Sequence, residues 1–226
     1  MSWFGILSEK PWLPEAHGTA AQWGRTAYTP AVKISLRFLL GIISVFFMLF
    51  FVTFISRSQY DDFLALAGEP WQPFTHSWRL WINSGVLVLA SVAMQNAVYA
   101  LRRDQSLRLL CSLAAGALLA MLFIILQISV WQFLQSMGYG VAANPANSYF
   151  YILTGLHALH LIGGLVALGR VVNSLRRDGY LQNRHAAIEA CALYWHYLLG
   201  LWLVLFFMLT RTPETYALIA AACGLG

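Results

Sequence analysis

The chain has 226 residues, 59% of them hydrophobic and 10% charged, with a mean hydropathy of +0.64. That balance excludes a soluble core and describes an integral membrane protein. The net charge of +5 does not call for nucleic acid or another acidic partner, because its distribution along the chain accounts for it.

The N-terminal string MSWFGILSEKPWLPEAH is interrupted by Glu9, Pro11, Pro14 and Glu15, so it does not read as a cleavable signal sequence. Residues 1–33 are expected to form a cytoplasmic or interfacial segment, with Trp3, Trp12 and Trp23 suited to anchoring. Five apolar stretches follow at 34–56, 79–101, 108–133, 149–173 and 188–210, each near or above the roughly 20 residues that cross about 30 Å of hydrocarbon as a helix. They lack the period-2 alternation of barrel strands. The expected fold is all-α, a membrane bundle of five transmembrane helices over 34–210. The tail, 211–226, is apolar but too short to cross and is expected to fold back at the outer surface.

Charge sets the orientation. Lys10, Arg25, Lys33 and Arg37 precede span one, Arg102, Arg103 and Arg108 lie between spans two and three, and Arg170, Arg176, Arg177 and Arg184 lie between spans four and five. Arg57, Arg79 and Arg211 fall on the other side. The positive-inside rule places the N-terminus in the cytoplasm and the C-terminus outside. Asp61, Asp62 and Glu69 then belong to an outer loop with Trp71, and Trp78 and Trp81 suit the interface. Cys111, Cys191 and Cys223 show no paired spacing, which supports neither a disulfide framework nor a thiolate metal site. Small residues at Ser112, Gly116 and Ala120 in span three, and Gly163 and Ala167 in span four, predict close helix approach.

The last two spans carry polar groups that are rare at membrane depth. A charge there costs about 2.5 kcal/mol or more, so such groups usually face protein. Span four holds Thr154, His157 and His160, three apart and read as one face; span five holds Glu189, Tyr194, Trp195 and His196, with Glu189 and His196 seven apart. At about 1.5 Å per residue, His160 lies about 16 Å and His196 about 12 Å deep. The simplest packing turns these faces toward each other or toward a lipid-filled groove, with Glu189 near the cytoplasmic boundary within reach of Arg184. Three chemistries suit the group: metal or haem ligation by His157, His160 and His196, proton relay through His160, His196 and Glu189, or hydrogen bonding that fixes helix packing. Two histidines three apart on one helix serve a haem poorly, which favours packing. Asn83, Ser84, Gln95, Asn96 and Gln127 read as polar packing across helices rather than a substrate path, and no broken helices or inverted repeats of a transporter are visible.

FYILTGLHALHLIGG (150–164) and IEACALYWHYLLGLWLVLF (188–206), with weaker support from WINSGVLVLAS and FIILQISVWQF, resemble subunit III of the haem–copper terminal oxidases, which include the cytochrome c and quinol oxidases. The resemblance covers about 34–210 and its short form has five spans with a cytoplasmic N-terminus. It implies a non-redox accessory subunit in a prokaryotic plasma membrane. Its partners would be catalytic subunit I, with haem and copper, and subunit II. It also implies structural phospholipid in a helix cleft shaped by Thr154, His157, His160, Glu189, Tyr194, Trp195 and His196, with no metal in this chain. A quinol oxidase or nitric-oxide-reductase partner is the alternative within the family, and a haem-bearing membrane cytochrome the alternative outside it. The chain departs from the family pattern at two points: residues 34–56 contain no carboxylate, with Ser44 or Val45 near its expected place, and Leu199 stands where an aspartate is common.

Overall fold

The computed structural model describes residues 20–60, 63, 78–177, 181–222 and 224, with side chains from residue 34 onward except at 175–184. The segment 1–19 with Trp3 and Trp12, the acids Asp61, Asp62 and Glu69, and Trp71 and Cys223 lie outside the described residues. The described residues contain no strand. They form α1 (Ala20–Arg57), α2 (Trp78–Arg102), α3 (Ser106–Ser136), α4 (Pro145–Arg177), α5 (Leu181–Leu209) and α6 (Pro213–Ala222). Among the described residues five helices are long and apolar enough to cross a membrane, at Ile34–Arg57, Trp78–Arg102, Ser106–Ser136, Pro145–Ser174 and His185–Leu209. The fold is all-α, as the composition requires.

Local chemistry ends and restarts these helices. The turn before α3 sets Asp104 at φ 53°, a left-handed conformation that Asp tolerates better than most residues. Helix α3 stops in a Schellman arrangement, with Gly138 at φ 89° and the amides of Gly138 and Tyr139 donating to the Gln135 and Leu134 carbonyls at 3.0 and 2.9 Å. Asn144 caps α4 by accepting from the Ala146 amide at 3.3 Å, and Pro145 takes the first helical position, where a missing N–H costs nothing.

Helices α2 and α3 form the most extensive pairing; α5 packs on α2, α4 and α1, and α3 meets α4 more lightly. The result is a ring of α2, α3, α4 and α5, with α1 outside it against α4 and α5 and α6 returning beside α1. Tyr216 anchors that return. It is buried, sits edge-on to Phe54 at 5.2 Å, and donates to the Met208 carbonyl at 2.7 Å. Burial pushes its hydroxyl pKa up, against the lowering influence of Arg211. Much of α1 faces outward, with Phe38, Ile42, Val45, Met48 and Leu49 exposed.

Two small-residue predictions fare differently. A Cβ at Gly116 would meet Met94 Sδ at 3.0 Å, so α2 and α3 do approach closely there. On α4 the close approach is at Gly164, where a Cβ would lie 2.9 Å from Tyr194 Cε1, whereas Gly163 has nothing within 4 Å and Ala167 is exposed. One residue turns a helix by about 100°, enough to move the contact to the neighbouring glycine.

Candidate functional site

The polar groups of the last two spans do not converge. Thr154 is buried; its hydroxyl donates to the Phe150 carbonyl at 2.6 Å and accepts from the indole N–H of Trp131 on α3 at 3.1 Å. His157 is fully buried, with Phe123 of α3 and Trp202 of α5 at ring distances of 5.8 and 5.2 Å. Neither of its ring nitrogens has a hydrogen-bond partner among the described residues. His160 turns instead toward α1, its ring 5.7 Å from Phe47, while Nδ1 donates to the Leu156 carbonyl at 2.7 Å. A three-residue step covers about 300° of a helix, so each step slips back about 60°, and the expected single face is spread over three neighbours, α3, α5 and α1.

The polar face of α5 points to α2 rather than to α4. His196 is exposed, yet both ring nitrogens are used: Nε2 donates to Gln95 Oε1 at 2.9 Å, which leaves Nδ1 to accept from the Ser91 hydroxyl at 2.5 Å. Seven residues earlier, Glu189 meets Arg102 of α2 at 3.2 Å; the Arg184 side chain lies outside the described residues. Deeper in the same seam the Trp202 indole donates to Ser84 Oγ at 2.9 Å. The α2–α5 seam is thus a ladder of polar rungs.

The α4–α5 seam is built of shape. Trp195 is buried, Tyr194 and Trp195 both press on Gly164, and the Tyr194 hydroxyl donates to the His160 carbonyl at 3.0 Å. In the ring interior Asn83 donates to Gln127 Oε1 at 2.9 Å, and the Gln127 amide nitrogen has no partner among the described residues. Near the place of the missing family carboxylate, Ser44 Oγ lies 2.8 Å from the Tyr197 hydroxyl and ties α1 to α5.

Ser91 and Arg102 were not singled out as partners by the sequence, although a signal existed. Ser84 and Ser91, like Gln95 and Arg102, are seven apart on α2, and that spacing matches Glu189 and His196 on α5. Among the described residues no three His, Cys, Asp or Glu side chains group as a metal site. Cys111 and Cys191 are free thiols. His157, His160 and His196 occupy three separate environments, so the three-histidine ligand set weighed from sequence is not assembled.

A family model described as cytochrome c oxidase subunit III matches residues 7–211. Similar chains bearing the name cytochrome c oxidase subunit 3 include one from Thermostichus vulcanus, 31% identical over 160 residues, covering 66% of this chain and 77% of that one. Another, from Synechocystis, is 31% identical over 128 residues, 56% of this chain and 54% of its own length. A third, from Branchiostoma lanceolatum, is 30% identical over 170 residues, 71% of this chain and 62% of its own. The chain thus spans between about half and three-quarters of the length of these curated relatives.

Proposed function

The chain belongs to the cytochrome c oxidase subunit III family, and from that premise we propose that it is a non-redox accessory subunit of a haem–copper respiratory oxidase. It sits beside a catalytic subunit that carries the haems and copper, with subunit II in the same complex, in a prokaryotic plasma membrane. Its N-terminus is cytoplasmic and its C-terminus outside, following the placement of its arginines and lysines. The observation that carries this reading is the family match over 7–211, which takes in all five apolar helices.

The disposition of the histidines supports the non-redox part. The ring nitrogens of His196 are engaged by Gln95 and Ser91, Nδ1 of His160 by Leu156, and His157 is enclosed by aromatic rings. These are arrangements that set helix packing. The task of the chain is to cover membrane-facing surface of the catalytic subunit, hold lipid and keep the proton-entry region ordered during turnover. Lipid meets the accessible rim of the polar group, Glu189, His160, Tyr194 and His196, while the buried Thr154, His157 and Trp195 hold the helices behind it.

Purification in mild detergent with identification of co-purifying chains tests this. The expected result is a haem-bearing partner, and its electron-donor site then distinguishes a cytochrome c oxidase from a quinol oxidase. A stoichiometric Soret band from this chain purified alone would sink the proposal in favour of a cytochrome.

A further inference from the structure

Three arginines lie in or beside the turn between α2 and α3, and they are not equivalent. Arg102 is paired with Glu189. Arg103 and Arg108 instead line a cleft of about 500 Å³ together with Asn96, Tyr99, Gln105 and Ser112. Arg108 donates to Gln105 Oε1 at 3.0 Å, and among the described residues no carboxylate lines this cleft. Asp104, the acid nearest in sequence, holds its left-handed turn position and does not line the cleft.

A second cleft, of about 490 Å³, runs between α3 and α4 and is lined by apolar residues, among them Leu110, Ala114, Ala117, Leu165 and Gly169. Its space comes from small side chains where α3 and α4 pack lightly; a Cβ on Gly169 would touch nothing within 4 Å. The exposed Cys111 borders both clefts, so a cationic mouth opens beside an apolar groove. From Leu110 to Ala117 that groove extends about 10 Å along α3.

We propose that the two clefts form one site for an anionic phospholipid, its headgroup held by Arg103 and Arg108 and one acyl chain laid in the α3–α4 groove. Guanidinium is suited to phosphate because its planar donor fork can bond two oxygens at once. Two cations that share the cleft with no carboxylate among the described residues select net negative charge, and the adjoining groove selects a lipid over free phosphate. The turn joins the ends of two spans, which sets these arginines at the headgroup level of the membrane. The site shares no residue with the α4–α5 group proposed above to meet lipid, and it rests on the chain's membrane placement rather than on its oxidase role.

The test uses the detergent-purified complex and two photoreactive probes, phosphatidylglycerol and phosphatidylcholine, each with a diazirine in one acyl chain. Crosslinks of the phosphatidylglycerol probe are expected at 110–117 and 165–172. Its preference over phosphatidylcholine is expected to fall about thirtyfold in Arg103→Gln/Arg108→Gln, five- to sixfold for each arginine. Gly169→Phe, which fills the groove, is expected to abolish the crosslinks at 110–117. Crosslinks confined to other surfaces of the unmodified complex overturn the site, and an unchanged preference in the double variant overturns the headgroup assignment. Both readouts report lipid rather than oxygen consumption, so a failure here is distinguishable from a failure of the oxidase reading.

Discussion

The two seams that α5 makes with α2 and α4 handle polar groups in opposite ways. Toward α2 each polar side chain meets another: Glu189 with Arg102, His196 with Gln95 and Ser91, Trp202 with Ser84. Toward α4 the contact is mainly steric, with Tyr194 and Trp195 over Gly164, a single side-chain hydrogen bond among the described residues, from the Tyr194 hydroxyl to the His160 carbonyl, and His157 among rings with no partner for its nitrogens among the described residues. Lipid offers polar groups no hydrogen bonds. Where the α2 seam is open to lipid, at Glu189 and His196, its groups are therefore partnered, whereas His157, with no partner for its nitrogens among the described residues, is sealed from lipid. The α2 seam fixes which rung meets which, and the α4 seam fixes how closely the helices approach.

Trp202 belongs to both seams, so its loss is expected to have the largest effect. Trp202→Ala removes the ring facing Phe123 and His157 and the donor to Ser84, and is expected to cost about 3–5 kcal/mol. Thermal unfolding in detergent measures it. A cost below about 1 kcal/mol, far under the range for a buried tryptophan, would mean that the seams do not share a core. Next comes Gly164→Leu, which drives a side chain into the rigid Tyr194 ring and is expected to cost about 1–3 kcal/mol. Gly163→Leu, on open space, is the control expected to leave stability unchanged. Equal effects at the two glycines would break the steric account of the α4 seam.

That pair of glycines also shows where sequence reading stops. The five spans are legible because a bilayer imposes length and apolarity, and polar residues stand out against such a background. The phase of each helix is harder. Helices α3 and α5 are apolar on nearly every side, so no apolar stripe tells which face turns inward. On α4 the adjacent Gly163 and Gly164 are equally small, so residue type does not choose between them, and on α5 Glu189 and His196 can be set on one face without revealing that α2 is their neighbour. Spacing alone also placed His160 with Thr154 and His157, although its ring meets α1. The heptad match between Ser84, Ser91, Gln95 and Arg102 on one helix and Glu189 and His196 on the other is the kind of signal that orients such helices, and it becomes readable only when two spans are compared.

The smaller predictions bear on the contrast directly. His196→Phe strips Ser91 and Gln95 of their partner at a lipid-accessible position and is expected to cost about 1–2 kcal/mol. Glu189→Gln is expected to cost about 0–1 kcal/mol, since the pair with Arg102 is well exposed. The initial oxygen-consumption rate of the complex should then be unchanged, with faster inactivation during turnover. A lowered initial rate would give Glu189 a part in proton movement.

His157→Phe is expected to change stability least, within about 0.5 kcal/mol of zero or toward a gain. The replacement keeps an aromatic ring between Phe123 and Trp202, only slightly larger, and gives up two nitrogens that make no hydrogen bond among the described residues. An unsatisfied buried polar group costs about 1–3 kcal/mol, and removing that cost offsets the mild overpacking. The comparison with His196→Phe is the sharpest available, because the two histidines undergo the same substitution in the same bundle and differ in whether their nitrogens are partnered. Thermal unfolding of both variants decides it. If His157→Phe proves as costly as His196→Phe, its nitrogens are satisfied within the core after all, and the distinction between a hydrogen-bonded seam and a steric one fails.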